Sequence, residues 1–334
     1  MIRYGIVGTS WITEAFIEAA NQVGDYKLNA VYSRSENKAI EFAKKYNVGN
    51  IFINMEEMAK SNEIDAVYIA SPNSFHAEHS KLFLRNKKHV ICEKAIASNV
   101  EELKSMVAAA RENGVLLMEA LRTNFLPSIS IIKDNLHKLG TIRRYIGNYC
   151  QYSSRYDAFK AGELPNIFNP EFSAGSLMDI GVYCIHPLVL LFGLPKDVVA
   201  NGYILSSGVD GLGSLLLKYD DMEAIIIHSK ITNSHLGSEI QGEKGIMIID
   251  KIDHPQKIKI IYNDGQTEDL SVELNKHNMY YEAKEFAKLI NEGKTESDIN
   301  SFEQSLHVMS IIEKARRKMG VKFPADYTVK ALLE

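Results

Sequence analysis

The strongest constraint on the fold is an alternation that fills the first part of the chain. Over about the first 120 residues, short apolar runs alternate with segments of helical periodicity, as in βαβ units. The predicted elements are Tyr4–Val7, Thr13–Val23, Leu28–Tyr32, Glu36–Tyr46, Ala66–Ala70, Phe75–Asn86, His89–Cys92, Val100–Asn113 and Val115–Glu119. Because the strands are apolar on both faces, we expect a parallel sheet with helices on both sides. The sequence predicts a doubly wound α/β Rossmann domain over residues 1–122, with its ligand beyond the carboxyl ends of the strands.

The pattern changes after Pro127. A helix is predicted over 128–139 and a longer helical stretch over roughly 175–192, with two amphipathic helices near 277–291 and 301–319. Strand-like runs dominate the rest: 141–152, 198–206, 213–219, 223–229, 238–241, 245–249 and 256–262. We expect an α+β second domain, residues 123–334, with a large, mostly antiparallel open sheet. The helix near 301–319 is a candidate to pack back on the first domain.

Composition restricts the class of protein. Of 334 residues, 46% are hydrophobic and 24% are charged, which is typical of a folded globular protein. The net charge of −4 is not concentrated in basic patches, so we expect no nucleic-acid partner. No apolar run approaches the roughly 20 residues that span a bilayer, and no signal-peptide pattern is present, so no membrane association is predicted. The three cysteines, Cys92, Cys150 and Cys184, form no metal-ligand pair and favour a reduced, cytoplasmic protein without metal or disulfides.

The turn after the first strand is a partial dinucleotide-binding fingerprint. In G-x-G-x-x-G, the glycines allow a tight turn, close approach of the pyrophosphate and helix packing. Gly8 supplies the first glycine, the small Ser10 could donate a hydrogen bond in place of the second, and Thr13 replaces the third. A variant phosphate turn and an ordinary strand-to-helix turn remain alternatives on this fragment alone.

The end of the second predicted strand favours NADP over NAD. An NAD site places Asp or Glu about 20 residues beyond the glycine turn, to bind the ribose 2′-hydroxyl. Here Ser33 and Arg34 occupy that zone, and Arg34 with Lys38 could bind a 2′-phosphate. The alternative is two solvated cations, and Glu36 weakens the positive field. We therefore predict NADP as the preferred cofactor, with NAD as the second choice.

Three further segments carry a resemblance to a known family. They are V-Y-I-A-S-P-N-S-F-H-A-E-H at 67–79, K-H-V-I-C-E-K-A-I-A at 88–97 and G-S-L-M-D-I-G-V-Y-C-I-H at 175–186. With these motifs in order, nearly the whole chain resembles the glucose–fructose oxidoreductase / inositol dehydrogenase (Gfo/Idh/MocA) family, closest to its dimeric dihydrodiol dehydrogenase-like branch. The resemblance implies an NAD(P)-dependent oxidoreductase that interconverts a secondary alcohol and a carbonyl on a sugar, polyol or cyclic diol.

The same resemblance implies roles for individual residues. Tyr183 would exchange the hydroxyl proton, Lys94 would stabilise the charge on the oxygen, and Asp179 would orient the substrate or the lysine. On spacing alone, these three could instead be a core tyrosine, an exposed loop lysine and a helix-capping aspartate. The implied cofactor residues are Gly8, Thr9, Ser10, Trp11, Ile12, Ser71, Pro72, Asn73, His76, Glu93 and Lys94.

The chain also departs from the family pattern. Much of the family has His where Tyr183 stands, and Ala95 replaces the proline of E-K-P, which predicts a less rigidly held Lys94. Asn124 stands where many relatives carry an arginine that contacts cofactor or substrate, and it is retained as a cofactor candidate. The substrate candidates lie within 152–172 and are Arg155, Tyr156 and Asn166.

An uncovered apolar face of the second sheet would need a partner. We therefore expect a homodimer or tetramer that forms through that sheet. A non-catalytic ligand-sensing relative and an NAD-dependent glycosidase on the same scaffold remain alternatives to the dehydrogenase.

Overall fold

The computed structural model describes residues 1–274 and 276–327. They divide into two compact units, one of residues 1–122 with 276–302 and one of 123–274 with 303–327. The segment 276–302 thus belongs with the first unit, although the predicted boundary placed everything after 122 in the second domain. The helix near 301–319 belongs with the second unit from residue 303 onward. The end of the predicted second domain, 328–334, lies outside the described residues, as does Asn275.

The first unit contains a six-stranded parallel sheet in the order β3-β2-β1-β4-β5-β6. Its strands are β1 Ile2–Val7, β2 Tyr26–Tyr32, β3 Asn50–Phe52, β4 Ala66–Ile69, β5 His89–Glu93 and β6 Leu117–Ala120. Its first helices are α1 Trp11–Val23, α2 Glu36–Tyr46, α3 Met55–Lys60, α4 His76–Arg85 and α5 Val100–Asn113. The predicted doubly wound arrangement is confirmed. The prediction omitted β3 and α3, which span three and six residues and are too short to show a period.

The second unit contains an eight-stranded sheet in the order β14-β13-β12-β11-β7-β10-β9-β8. Its strands are β7 Ile142–Cys150, β8 Asp197–Ile204, β9 Asp210–Lys218, β10 Glu223–Ser229, β11 Ser238–Gly242, β12 Gly245–Ile249, β13 Ile258–Tyr262 and β14 Thr267–Asp269. Every pair is antiparallel except β7 and β10, so the predicted sheet is confirmed. Further α-helices are α6 Pro127–Asn135, α7 Tyr156–Lys160, α8 Val182–Phe192 and α10 Phe302–Met319. The helix α9 Tyr280–Asn291 belongs to the first unit.

The predicted helix over roughly 175–192 is not uniform. It begins with a single π-type turn, Leu177–Gly181, and continues as α8. The short elements α7 and β14 were also absent from the prediction, since five and three residues carry no period. A π-type turn changes the spacing of side chains along one face, and such turns are frequent at functional sites.

One helical stretch meets the length and composition criteria for a membrane span. Among the described residues, Pro170–Phe192 is long and apolar enough to cross a membrane, with a mean hydropathy of 1.6. Polar residues interrupt the apolar run within this stretch, but its mean hydropathy remains high. Of its most apolar window, 78% is buried inside the fold.

The two faces of the second sheet differ in what covers them. On the buried face, the Tyr145 hydroxyl donates to the Cys184 carbonyl of α8 at 2.9 Å. On the other face, Val199 and Leu216 are neighbours in register and are 54% and 46% exposed. The same row continues through Ile225 and Ile146, so four aliphatic side chains from adjacent strands form one band.

The segment 276–302 joins the first unit because α9 packs against α1. The Tyr26 hydroxyl donates to the Ala283 carbonyl at 2.5 Å, and Phe286 is buried. Phe16 stacks on Tyr68 in the same core, with ring centroids 4.0 Å apart. Amphipathic patterning predicts such a helix but not which core it completes.

Candidate active site

A cleft opens at the carboxyl end of the parallel sheet, where β1, β2 and β4 end. Its volume is about 410 Å³, and doubly wound sheets bind their ligands at this edge. The cofactor candidates that line it are Gly8, Thr9, Ser33, Arg34, Lys38, Ser71 and Pro72. The remaining lining residues, which were not among the predicted cofactor residues, are Val7, Tyr32, Ser35, Ala70, Phe75 and His79.

The conformation of the turn after β1 requires glycine at position 8. Gly8 has a φ of +108°, and a Cβ there would lie 2.7 Å from the Ala70 carbonyl oxygen, so only glycine fits. Beyond the turn, α1 begins at Trp11, with Ser10 as its N-cap residue. Trp11 is 72% exposed and Ile12 is half-buried. The turn therefore brings the N-terminus of a helix, which attracts anions, next to the glycine.

Two cations give the cleft its positive charge. Arg34 and Lys38 are exposed and follow β2, where the sequence analysis placed the 2′-phosphate. His79 also lines the cleft, and its Nδ1 lies 3.0 Å from Ser71 Oγ. Burial lowers the pKa of His79 to about 4, so this ring is neutral at pH 7. His79 is the last residue of the 67–79 motif, one turn after His76, and that spacing was the signal by which it could have been found.

His76 joins the loops that follow β4 and β5. Its Nδ1 lies 2.9 Å from the Ala95 carbonyl oxygen and its Nε2 lies 2.7 Å from the Ser71 carbonyl oxygen. The ring is fully buried, and burial lowers its pKa to about 4. Ala95 is also buried, and the Lys94–Ala95 peptide bond is cis. The segment after Lys94 therefore has an anchor in His76.

The remaining candidates of the first unit lie at the ends of β4 and β5. Asn73 begins a short 3₁₀ turn before α4, and Lys94 is half-buried. Glu93 is 8% exposed and accepts a hydrogen bond from the Tyr68 hydroxyl at 2.6 Å. Burial raises the pKa of Glu93. Asn73, His76, Glu93 and Lys94 are outside the set of side chains that line the cleft.

In the second unit, Asp179 lies in the π-type turn and Tyr183 in the first turn of α8. Tyr183 is 8% exposed, and its ring meets that of Tyr149 edge-on at 5.8 Å. Asp179 Oδ2 accepts a hydrogen bond from Lys230 Nζ at 2.7 Å. Sequence reasoning missed Lys230, because a lysine that follows a strand carries no motif.

A buried polar cluster lies beside this turn. His228 Nδ1 is 2.9 Å from Ser176 Oγ and 3.7 Å from Asp210 Oδ2. Asp210 Oδ2 also accepts a hydrogen bond from the Leu177 backbone N–H at 2.7 Å. Burial raises the pKa of Asp210 to about 7 and lowers that of His228 to about 3. The cluster is buried, and its contacts with Ser176 and Leu177 fix the start of the turn.

The other candidates of the second unit lie in a 3₁₀ turn before α6 and within the 152–172 segment. Asn124 is 4% exposed in a 3₁₀ turn before α6. Arg155 precedes α7 and is exposed, as is Asn166. Tyr156 packs among aromatic rings, with Phe168 at 5.8 Å and Phe159 at 6.1 Å. These contacts join Tyr156 to two aromatic side chains of the same segment.

Comparison with known proteins extends this description. Residues 2–121 match the model of an oxidoreductase family with an NAD-binding Rossmann fold, and residues 136–248 match a GFO/IDH/MocA C-terminal domain. The chain is 54% identical over 326 residues to the scyllo-inositol 2-dehydrogenase (NADP⁺) of Bacillus subtilis, covering 98% of this chain and 99% of that protein. It is 30% identical to the trans-1,2-dihydrobenzene-1,2-diol dehydrogenase of Mus musculus, covering 97% and 99%.

Solved structures share the fold. A levoglucosan dehydrogenase in complex with NADH and levoglucosan superposes with a TM-score of 0.85 at 19% identity, over 95% of this chain and 96% of that chain. A 3-ketoreductase from Actinomadura kijaniata, solved as a variant with TDP-benzene and NADP, gives a TM-score of 0.82 at 23% identity, over 95% and 98%.

Proposed function

The protein belongs to the GFO/IDH/MocA oxidoreductase family, and we propose from this premise that it is an NADP-preferring dehydrogenase of a cyclic polyol. The reaction is the interconversion of a ring CH–OH group and a ketone. Scyllo-inositol is the first substrate to test, since the 54% identical relative is named for that activity. The observation that carries the proposal is the cleft at the end of the parallel sheet, with two cations beyond β2.

The residues of the cleft fit a phosphorylated dinucleotide. Gly8 keeps its side of the cleft free of a side chain, and the start of α1 favours a pyrophosphate. Arg34 and Lys38 supply charge for a 2′-phosphate, and no carboxylate lines the cleft among the described residues. The bound nicotinamide would accept or donate the hydride.

The side chains of the protein then have to manage the hydroxyl proton. We assign that proton to Tyr183, whose phenol oxygen acts as base in oxidation and as acid in reduction. Lys94 favours the phenolate and stabilises the partial charge on the substrate oxygen. Asp179 orients the substrate hydroxyl. Cofactor contacts are assigned to the cleft residues. Further candidates are Ser10, Trp11, Ile12, Asn73, His76, Glu93, Lys94 and Asn124. Arg155, Tyr156 and Asn166 are the substrate candidates.

The experiment is reduction of NADP⁺ or NAD⁺ by the purified protein with scyllo-inositol, other inositols, sugars and a cyclic diol. We expect NADPH formation with at least one inositol and a preference for NADP⁺. Tyr183→Phe should lower kcat by about 100-fold or more, whereas Tyr203→Phe, on the exposed side of β8, should not. Cleavage of a glycoside without net NADPH formation would favour the glycosidase alternative. Ligand binding without any turnover would favour the sensing alternative.

The proposal includes a homodimer or tetramer through the second sheet. The row of Val199, Leu216, Ile225 and Ile146 presents an apolar band across four strands. Such a band in contact with water is unfavourable, which supports burial against a second copy. The proposed setting is the cytoplasm, where the three free thiols would stay reduced.

A further inference from the structure

We propose that Lys230 is a positioning residue that holds the Asp179 carboxylate in its working orientation. This inference rests on the proposed dehydrogenase function and adds a residue to it. The primary observation is the contact of Lys230 Nζ with Asp179 Oδ2 at 2.7 Å. The lysine side chain is 10% exposed and the aspartate side chain 28% exposed. An ion pair with so little solvent differs from surface pairs, whose net contribution is small.

The backbone of Lys230 is held on two sides. Its N–H donates to the Gly211 carbonyl of β9 at 2.8 Å, and its own carbonyl accepts from the Ser153 N–H at 2.8 Å. The ammonium is therefore presented from a fixed point at the end of β10. Ser153 is the second residue of the 152–172 segment, from which the substrate candidates come, so Lys230 joins that segment to the turn that carries Asp179.

The π-type turn that carries Asp179 is also held by residues near the end of β10. His228, two residues before Lys230, contacts Ser176 at 2.9 Å, and Asp210 accepts from the Leu177 N–H at 2.7 Å. Gly175 has a φ of +121°, and a Cβ there would lie 2.4 Å from Asp210 Oδ1. The backbone before Asp179 is thus held by contacts to Ser176 and Leu177, and Lys230 sets the orientation of the Asp179 side chain.

The ion pair between Lys230 and Asp179 would affect catalysis through the Asp179 carboxylate. A carboxylate that accepts a substrate hydrogen bond works best when it is ionised and fixed before the substrate arrives. An adjacent ammonium favours the ionised form and restricts its rotamers. Removal of the ammonium leaves a partly buried carboxylate without that partner, which is costlier than loss of a surface pair. Lys230 need not touch the substrate.

The test is a double-mutant cycle on the turnover of the polyol. Lys230→Met keeps the length of the side chain and removes the charge, and we expect kcat to fall roughly 10- to 100-fold, with the KM for NADP⁺ unchanged. Because Lys230 acts through Asp179, the Asp179→Asn/Lys230→Met double variant should match Asp179→Asn within about twofold. Lys230→Arg, which retains the charge, should recover most of the activity. The matched control is Lys138→Met, which breaks a 2.5 Å ion pair with Glu268 on the edge strand β14.

Other results would overturn the assignment. If Lys230→Met keeps its kcat, or if the two substitutions multiply, Lys230 does not act through Asp179. If Lys230→Arg is as impaired as Lys230→Met while both melt at a lower temperature than the wild type, the lysine is only a structural link. A wild-type protein without turnover on any polyol, yet with NADPH binding, would refute the proposed function itself, and the assignment of Lys230 with it.

Discussion

Cofactor selection by Arg34 and Lys38 can be tested quantitatively. NADP⁺ and NAD⁺ differ only in the 2′-phosphate, so a residue that binds this group changes the affinity for one cofactor and leaves the other alone. Both cations line the cleft beyond β2, and the guanidinium of Arg34 can bind a phosphate through two N–H groups. Arg34→Ala and Lys38→Ala should therefore weaken NADP⁺ binding selectively.

The expected magnitude follows from the exposure of the two side chains. A hydrogen bond to a charged group contributes about 1.5–3 kcal/mol, or roughly 10- to 150-fold in affinity. Both side chains are exposed, so we expect the lower end, about tenfold for each variant and about 100-fold for the double variant. Isothermal titration calorimetry with NADP⁺ and NAD⁺ measures both affinities. The difference between the cofactors should narrow at high salt, which screens exposed charges.

Lys44→Ala is the matched control for this measurement. It removes one positive charge from α2, the helix that carries Lys38, at an exposed position that does not line the cleft. Its affinity for NADP⁺ should stay within about twofold of the wild type. Equal losses for NADP⁺ and NAD⁺ in Arg34→Ala would refute the reasoning, because they would place the guanidinium at a group that both cofactors share.

Three further predictions concern the scaffold. Gly8→Ala should destabilise the protein by about 2 kcal/mol or more, because it introduces backbone strain and a clash with Ala70. The control Gly24→Ala should lower stability less, because Gly24 has a φ of +85° but open space around it. Equal melting temperatures of the two variants would contradict this prediction. Burial raises the pKa of Asp210 to about 7, so the folded protein retains a proton that the unfolded chain loses near pH 4. The free energy of unfolding therefore falls at this site as the pH rises from about 4 to about 7. Asp210→Asn should therefore gain stability relative to the wild type between about pH 5 and pH 8 in urea unfolding, and parallel pH profiles would exclude the effect. Leu216→Arg should dissociate the proposed dimer in light scattering, and an unchanged mass would remove the sheet face as the interface.

The two sheets differ in how far the sequence predicts them. In the first unit, each strand is an apolar run and each long helix has a clear period, so most bounds agree within two residues. The alternation that defines the second sheet is equally legible, but strand order depends on pairing between distant segments. The parallel pairing of β7 with β10 has no local signal, because both strands look the same whether their neighbour runs parallel or antiparallel.

The sequence likewise predicts some residues of the candidate site and not others. Gly8, Arg34 and Ser71 lie in motifs or at strand ends, so their place beside the cleft follows from topology. Lys230 and Asp210 approach the π-type turn only through tertiary packing, and no spacing connects residues so far apart in the chain. Sequence reasoning therefore finds the residues that motifs contain and misses the residues that hold those motifs in place.

The segment 276–302, which belongs with the first unit, affects the ionisation of the predicted site residue Glu93. Glu282 of α9 is fully buried in the first unit, where burial and the nearby Glu93 raise its pKa well above the ordinary range. Two neighbouring buried carboxylates do not both ionise readily. The Tyr68 hydroxyl donates to Glu93 at 2.6 Å and Lys94 favours its anion, whereas neither oxygen of Glu282 has a hydrogen-bond partner among the described residues. Of the two acids, Glu282 is therefore the harder to ionise, whereas Glu93, directly before Lys94, has the partners that stabilise an anion.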